Sequence, residues 1–309
     1  MRATFAKTLT EIARADARVL LLTADLGYMA LEPFSDAHPS RFINVGVAEQ
    51  NMVGIATGLA DGGFIPFLYS IAPFAVLRPY EFIRNGPVLH RLPVRIVGVG
   101  AGFEYGPAGP THHAMDDAAA LRPQPGLTIV TPADHHQLRT ALEATWDLDG
   151  PIYYRLGKEE KVTIPGLDGR FRLGRAEIVR EGRDLAFVTM GALSSEACAA
   201  ADLLAQRGLS AAVAVVSSFN PSPIEDLAEI ARAYPLVVSV EAQYVDGGLG
   251  SLVAETIAEA GAGARLVRIG VRQPPAGRSG SQSYYHALHE LGHEAIAERV
   301  LTLMAGGRL

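Results

Sequence analysis

Short, mainly apolar runs recur along this chain with helical stretches between them, and that alternation constrains the fold more than any other feature. Val19–Thr23, Phe42–Val45, Ile65–Tyr69, Val94–Val99, Leu127–Val130 and Ile152–Arg155 form one series. They lack strict apolar–polar alternation, as expected of strands covered on both faces. Thr4–Ala13 places Phe5, Leu9 and Ile12 close to helical spacing, Glu49–Leu59 reads as a helix rich in small residues, and Tyr80–Asn85 reads as helical. A long irregular segment covers 100–113. A second series follows, with strands at Asp184–Gly191, Ala211–Ser217, Leu236–Val240 and Val267–Gly270 and helices at Gly250–Ala260 and His286–Met304. Strand–helix repetition of this kind predicts open parallel α/β sheets. A chain of 309 residues suits two such cores better than one. The expected division is a first domain over 1–157, a linker or small hairpin over 158–183, and a second domain over 184–309.

Composition narrows the function classes. Hydrophobic residues make up 49% and charged residues 19%, which describes a chain with ample core. A net charge of −6 without a Lys/Arg run argues against a nucleic-acid surface, because phosphate contacts need a basic excess. No apolar stretch reaches the roughly 20 residues that span a bilayer. The first twelve residues, Met1–Ile12, are amphipathic and mixed in charge, unlike a secretory signal, so the cytoplasm is the expected compartment. The single cysteine, Cys198, excludes an intrachain disulfide, and the small residues of Ser194–Ala201 around it read as a packed helix face.

Three segments carry chemistry. In Asn44–Ala60, Glu49 stands at a strand-to-helix turn, where a carboxylate caps the helix and interacts well with its dipole. Gly54 and Gly58 each give up about 1 kcal/mol of helix propensity relative to alanine, which makes sense where another backbone must approach closely. The second segment, Tyr69–Asn85, spreads aromatic residues through an apolar stretch, a pattern that core packing alone also produces. The third, Gly106–Asp117, carries His112 and His113 on a Gly/Pro loop. Adjacent histidines rarely converge on one ion without further ligands, so a metal is the weaker reading.

Together these segments resemble the transketolase family, and most closely its split members, whose two halves are separate chains; 1-deoxyxylulose-5-phosphate synthases are similar too. The resemblance implies a thiamin-diphosphate pyrimidine-binding domain followed by a transketolase C-terminal-like domain. It implies that Glu49 hydrogen-bonds the aminopyrimidine ring nitrogen and favours the imino tautomer of the exocyclic amine, a role suited to a partly desolvated carboxyl. Phe74 matches the aromatic residue that stacks on the pyrimidine, with Tyr69 and Leu77 as neighbours. Asp25 matches an acidic residue near the cofactor cleft. His112, in Gly109-Pro110-Thr111-His112, matches a histidine that passes protons to the substrate, with His113 as a second candidate. Arg155 matches an arginine that holds a substrate phosphate, although an ordinary arginine after a strand reads equally well. In the second half, Val240–Gly250 resembles the family's C-terminal signature; its glycines suit a tight turn and close helix packing, since the spacing of a phosphate loop is missing.

Two positions depart from the family. Ala108 stands where transketolases commonly carry an acidic residue, and Gly100 where they use a histidine near the donor. A site that reads substrate hydroxyls discriminates through such contacts, so their loss implies an altered donor preference. The Gly-Asp-Gly motif that binds the diphosphate through Mg²⁺ does not occur in this sequence. The resemblance therefore implies an N-terminal partner subunit that supplies the motif, in an α2β2 heterotetramer, for transfer of a two-carbon ketol unit from a ketose to an aldehyde. The β subunit of a 2-oxoacid dehydrogenase E1, an acyloin-forming synthase, and a non-catalytic assembly protein of the same fold are the alternatives.

Overall fold

The computed structural model describes residues 1–274, 277 and 279–305. Its strands, in chain order, are β1 Val19–Thr23, β2 Phe42–Asn44, β3 Ile65–Ile71, β4 Arg95–Val99, β5 Thr128–Val130, β6 Ile152–Leu156, β7 Ala176–Arg180, β8 Leu185–Thr189, β9 Ala211–Val216, β10 Ser218–Asn220, β11 Leu236–Tyr244 and β12 Arg265–Val271. They form a seven-stranded sheet of order β10-β5-β6-β4-β3-β1-β2 and a five-stranded sheet of order β12-β11-β8-β9-β7. All neighbours are parallel except the two edge pairs, β10 with β5 and β7 with β9. Two mixed, mainly parallel α/β domains result, as the alternation of elements requires.

Most of the apolar runs became central strands, buried on both faces, while Phe42–Asn44 lies at the sheet edge. Every residue of β1, β3, β4, β6, β8 and β9 is buried. Side chains on β3 divide by parity: Leu68 joins the core beneath the helix Glu49–Asp61, while Phe67 and Tyr69 join the core beneath the helix Arg2–Ala15. The Leu68 core also runs on into the second domain through Val188, Val216 and Phe219, so the two sheets share apolar packing.

Three features go beyond the expected pattern. First, the 158–183 segment is not a spacer throughout. Ile164 and Leu167 pack with Ala133 and Val215, and β7 pairs antiparallel with β9. Second, the chain after β9 leaves its own sheet: β10 pairs with β5, and the Asn220 carboxamide donates to Leu127 O at 2.6 Å. Third, the terminal helix is two helices, Gln282–Leu288 and His293–Ala305, interrupted where Glu290 adopts φ +56° ahead of Gly292. The Ser281 hydroxyl caps the first of these by accepting from Tyr284 N–H at 3.1 Å. The helix Ser194–Gln206 buries Ala197, Ala200, Ala201 and Leu204, and burial pushes the Cys198 thiol up to about 11, away from thiolate reactivity. No helix among the described residues is long and apolar enough to cross a membrane.

Arg95, on β4, is fully buried and ties the sheet to the chain beyond the helix His135–Thr145. Its Nε donates to Trp146 O at 2.8 Å, Nη1 to Gly150 O at 2.5 Å, and Nη2 to Leu148 O. Burial pulls the guanidinium pKa down from its ordinary value, so these carbonyls carry the cost of desolvating it. Arg95→Met should therefore lose about 3 kcal/mol of stability in urea unfolding, with three carbonyls left unmatched. A loss below about 1 kcal/mol would show the carbonyls to be satisfied some other way.

Candidate active site at the carboxyl ends of the strands

Parallel strands open a crevice beyond their carboxyl ends, and the candidate residues fall there in sequence order. Asp25 follows β1, Glu49 follows β2, Phe74 follows β3, the His112 loop follows β4, and Arg155 lies near the end of β6.

Glu49 is the first residue of its helix and only 2% exposed. The helix N-terminus favours its negative charge. Oε1 accepts from the Ser70 hydroxyl at 3.3 Å and Oε2 from Arg78 Nη1 at 2.9 Å. Arg78 stays 48% exposed, with its guanidinium carbon 4.2 Å from the Phe74 ring centroid. Phe74 also meets His112, whose ring lies 4.9 Å away at 72°. The His112 Nδ1 is 3.0 Å from the Thr111 hydroxyl. A buried carboxylate, a half-buried aromatic ring and an imidazole thus share one cleft. Leu77, half in solvent, precedes Arg78 at its rim.

The loop that carries His112 is built from two short turns, Gly106–Ala108 and Pro110–His112, separated by Gly109 at φ +87°. That conformation strains any residue with a Cβ. Gly100, at φ +88°, meets the Tyr105 ring: a Cβ built there would lie 2.1 Å from Tyr105 Cδ2. The volume of the absent side chain is therefore filled by Tyr105, whose other neighbour is the Lys158 ammonium, 4.2 Å from the ring centre.

Four other residues are placed elsewhere. Tyr69 turns to the opposite sheet face and stacks on Phe5 at 5.7 Å, because strand parity gives the cleft to Ser70. His113 is 4% exposed and meets Phe103 and Tyr285 edge-on at 5.2 and 4.8 Å. Phe103 in turn stacks on Tyr285 and His289, so His113 fastens the loop to the second domain. Burial lowers the pKa of His113, His286 and His289, which suits an apolar joint. Arg155 is 3% exposed; Nε donates to Asp117 Oδ2 at 2.9 Å and Nη2 to Ala114 O at 2.8 Å. Tyr153 donates to the same carboxylate oxygen at 2.5 Å. With Nε and Nη2 engaged inside the protein, Arg155 ties the loop to the sheet. Asp25, at φ +57°, accepts from the Asn44 carboxamide at 3.0 Å, closing the β1–β2 edge rather than joining the Glu49 group.

Arg78, Ser70 and Tyr105 are the site residues that sequence reasoning missed. Parity from Leu68 points to Ser70, and a four-residue step from Phe74 points to Arg78. Tyr105 had no sequence signal, since only the folded loop brings it over Gly100.

The glycine-rich turn of the second domain offers no anion cradle. Glu241 itself accepts from Leu249 N–H at 2.7 Å and Gly250 N–H at 2.8 Å, filling the helix N-terminus from within. A Cβ on Gly248 would lie 2.0 Å from the same carboxylate. Among the described residues, no group of three His, Cys, Asp or Glu side chains could hold a metal ion. Gly54 and Gly58 are exposed, and a Cβ at Gly58 would meet nothing within 4 Å, so packing inside this chain does not require them.

Comparisons with known proteins identify the family. Residues 1–161 match the family described as transketolase, pyrimidine binding domain, and residues 174–296 that described as transketolase, C-terminal domain. The chain is 38% identical over 273 residues to the 6-deoxy-6-sulfo-D-fructose transketolase subunit SqwH of Clostridium sp. (strain MSTE9), covering 88% of this chain and 84% of that one. It is 33% identical to one of the subunits of the apulose-4-phosphate transketolase of Actinobacillus succinogenes, covering 88% of each. Among solved structures, a split gene transketolase described as an inactive beta4 tetramer superposes with a TM-score of 0.90 at 33% identity, covering 99% of both chains.

Glu104, next to Tyr105, is buried and receives the Lys158 N–H at 2.7 Å on Oε2, while Oε1 has no partner. Burial raises its pKa to about 7. A folded-state pKa above the ordinary 4.5 means the native protein binds more protons than the unfolded chain between those values, so this group costs stability as pH rises through about 5 to 7. Glu104→Gln should match the natural protein at pH 4.5 and be more stable by about 3 kcal/mol at pH 8. Equal unfolding midpoints at both pH values would contradict that burial.

Proposed function

The chain belongs to the transketolase family, and from that premise we propose that it is the subunit supplying the pyrimidine side of a thiamin-diphosphate site completed by a second polypeptide. The assembled enzyme transfers a two-carbon ketol unit from a ketose donor to an aldehyde acceptor. The observation that carries this reading is the Glu49 carboxylate, nearly buried at a helix N-terminus and sharing a cleft with the Phe74 ring and His112.

These residues fit an aminopyrimidine. The cleft already accepts a flat, N–H-donating group between Phe74 and Glu49, because the Arg78 guanidinium lies there. When bound, thiamin diphosphate supplies carbanion chemistry at its thiazolium carbon. In this reading Glu49 shares a proton with the pyrimidine ring nitrogen, and its burial keeps water from competing for that proton. Phe74 offers a stacking face. His112 gives or takes a proton at the substrate oxygen. Arg155 and His113 act on the loop carrying His112 and touch no substrate.

The diphosphate and its Mg²⁺ fall to the partner, which on this reading carries the Gly-Asp-Gly motif. The exposed Gly54–Gly58 face of the Glu49 helix supports close approach by another backbone. The relatives named as transketolase subunits support a two-chain enzyme, and an α2β2 assembly gives every cofactor two contributing chains. Tyr105 over Gly100 favours a donor other than an ordinary sugar phosphate, so an unusual ketose or an acyloin-forming variant is the second reading.

Co-purification with a Gly-Asp-Gly chain, followed by turnover of a donor panel with thiamin diphosphate and Mg²⁺, tests the assignment. Glu49→Gln should lower turnover at least a hundredfold, about 2.7 kcal/mol in barrier height, and leave assembly intact. Near-normal turnover would remove Glu49 from the proton path.

A further inference from the structure

The cleft between Glu49 and Phe74 is filled from within. The Arg78 guanidinium is planar, donates an N–H to Glu49 Oε2 at 2.9 Å, and lies over Phe74 with its carbon 4.2 Å from the ring centre. Those are the two contacts that the proposed function gives to the pyrimidine ring. A flat ligand stacking on Phe74 while donating to Glu49 needs the same volume. We propose that Arg78 is a built-in surrogate for the aminopyrimidine, holding its place in the cofactor-free protein and leaving when the ring binds.

The local design suits a side chain that comes and goes. A carboxylate 2% exposed is costly without a charged or hydrogen-bonding partner, and Ser70 alone satisfies only one of its oxygens. Arg78 satisfies the other at little entropic cost, because its fork is preorganised for a carboxylate. Its side chain is half in solvent, and it sits beyond the short helix Ala72–Val76, next to Pro79. Swinging the guanidinium into water therefore needs rotation about side-chain bonds only. Lys at this position would keep the charge but lose the flat face over Phe74.

A resident competitor lowers the apparent affinity of the incoming ring in proportion to the fraction of protein it leaves free. The test rests on the proposed cofactor, so binding is read directly by calorimetry on the complex with its Gly-Asp-Gly partner, using thiamin diphosphate and Mg²⁺. Arg78→Ala should bind about fivefold more tightly than the natural complex, with Arg78→Lys in between. In a Glu49→Gln background the gain from Arg78→Ala should shrink, because the guanidinium has lost the charge that seats it. Unchanged or weaker binding by Arg78→Ala would overturn the surrogate role while leaving the cofactor assignment standing. Absence of binding by the natural complex would overturn both.

Discussion

A single anion at the carboxyl end of a parallel sheet organises this protein. Glu49 is only 2% exposed, and three features offset the cost of burying a carboxylate there. The helix N-terminus points at it, the Ser70 hydroxyl donates to one oxygen, and Arg78 donates to the other. The sheet makes this possible, because parallel strands deliver β2, β3 and β4 to the same edge and their loops converge there. The fold thus supplies a dry carboxylate beside an aromatic face and an imidazole.

The second domain holds that edge still. It lends β10 to the first sheet, shares apolar core through Val216 and Phe219, and clamps the His112 loop with the Phe103–His113–Tyr285–His289 cluster. Arg155 adds a buried ion pair with Asp117, and its hydrogen bond to Ala114 O pins the loop from beneath. Breaking such a pair by removing one partner strands a buried charge, which argues for a rigid loop. The imidazole of His112 can then be aimed by backbone geometry rather than by its own few contacts.

The central strands were legible because complete burial imposes continuous apolar runs, and Val19–Thr23 matched residue for residue. The two antiparallel edge strands carry no such signature. Ser218–Asn220 is too short and too polar to read as a strand, and Ala176–Arg180 is only partly buried. Within the candidate site, Glu49, Phe74 and His112 were singled out through the family resemblance, and the fold brings them to one cleft. Tyr69 lies on the opposite sheet face from Ser70, as alternation along β3 requires. Arg155 could not be assigned from sequence, because the carboxylate that consumes it, Asp117, lies 38 residues away and meets it only after folding. His113 shows the same limit: it and His112 meet different rings, and only those packing partners decide which one lies beside Phe74.

The central claim is that Glu49 governs proton removal from bound thiamin diphosphate. Deuterium exchange at the thiazolium C2 position, followed by proton NMR after acid quench of the assembled complex, measures that step without requiring any substrate. The account predicts exchange at least about a hundredfold slower in Glu49→Gln than in the natural complex, with the cofactor equally bound in both. Equal exchange rates at equal occupancy would contradict it.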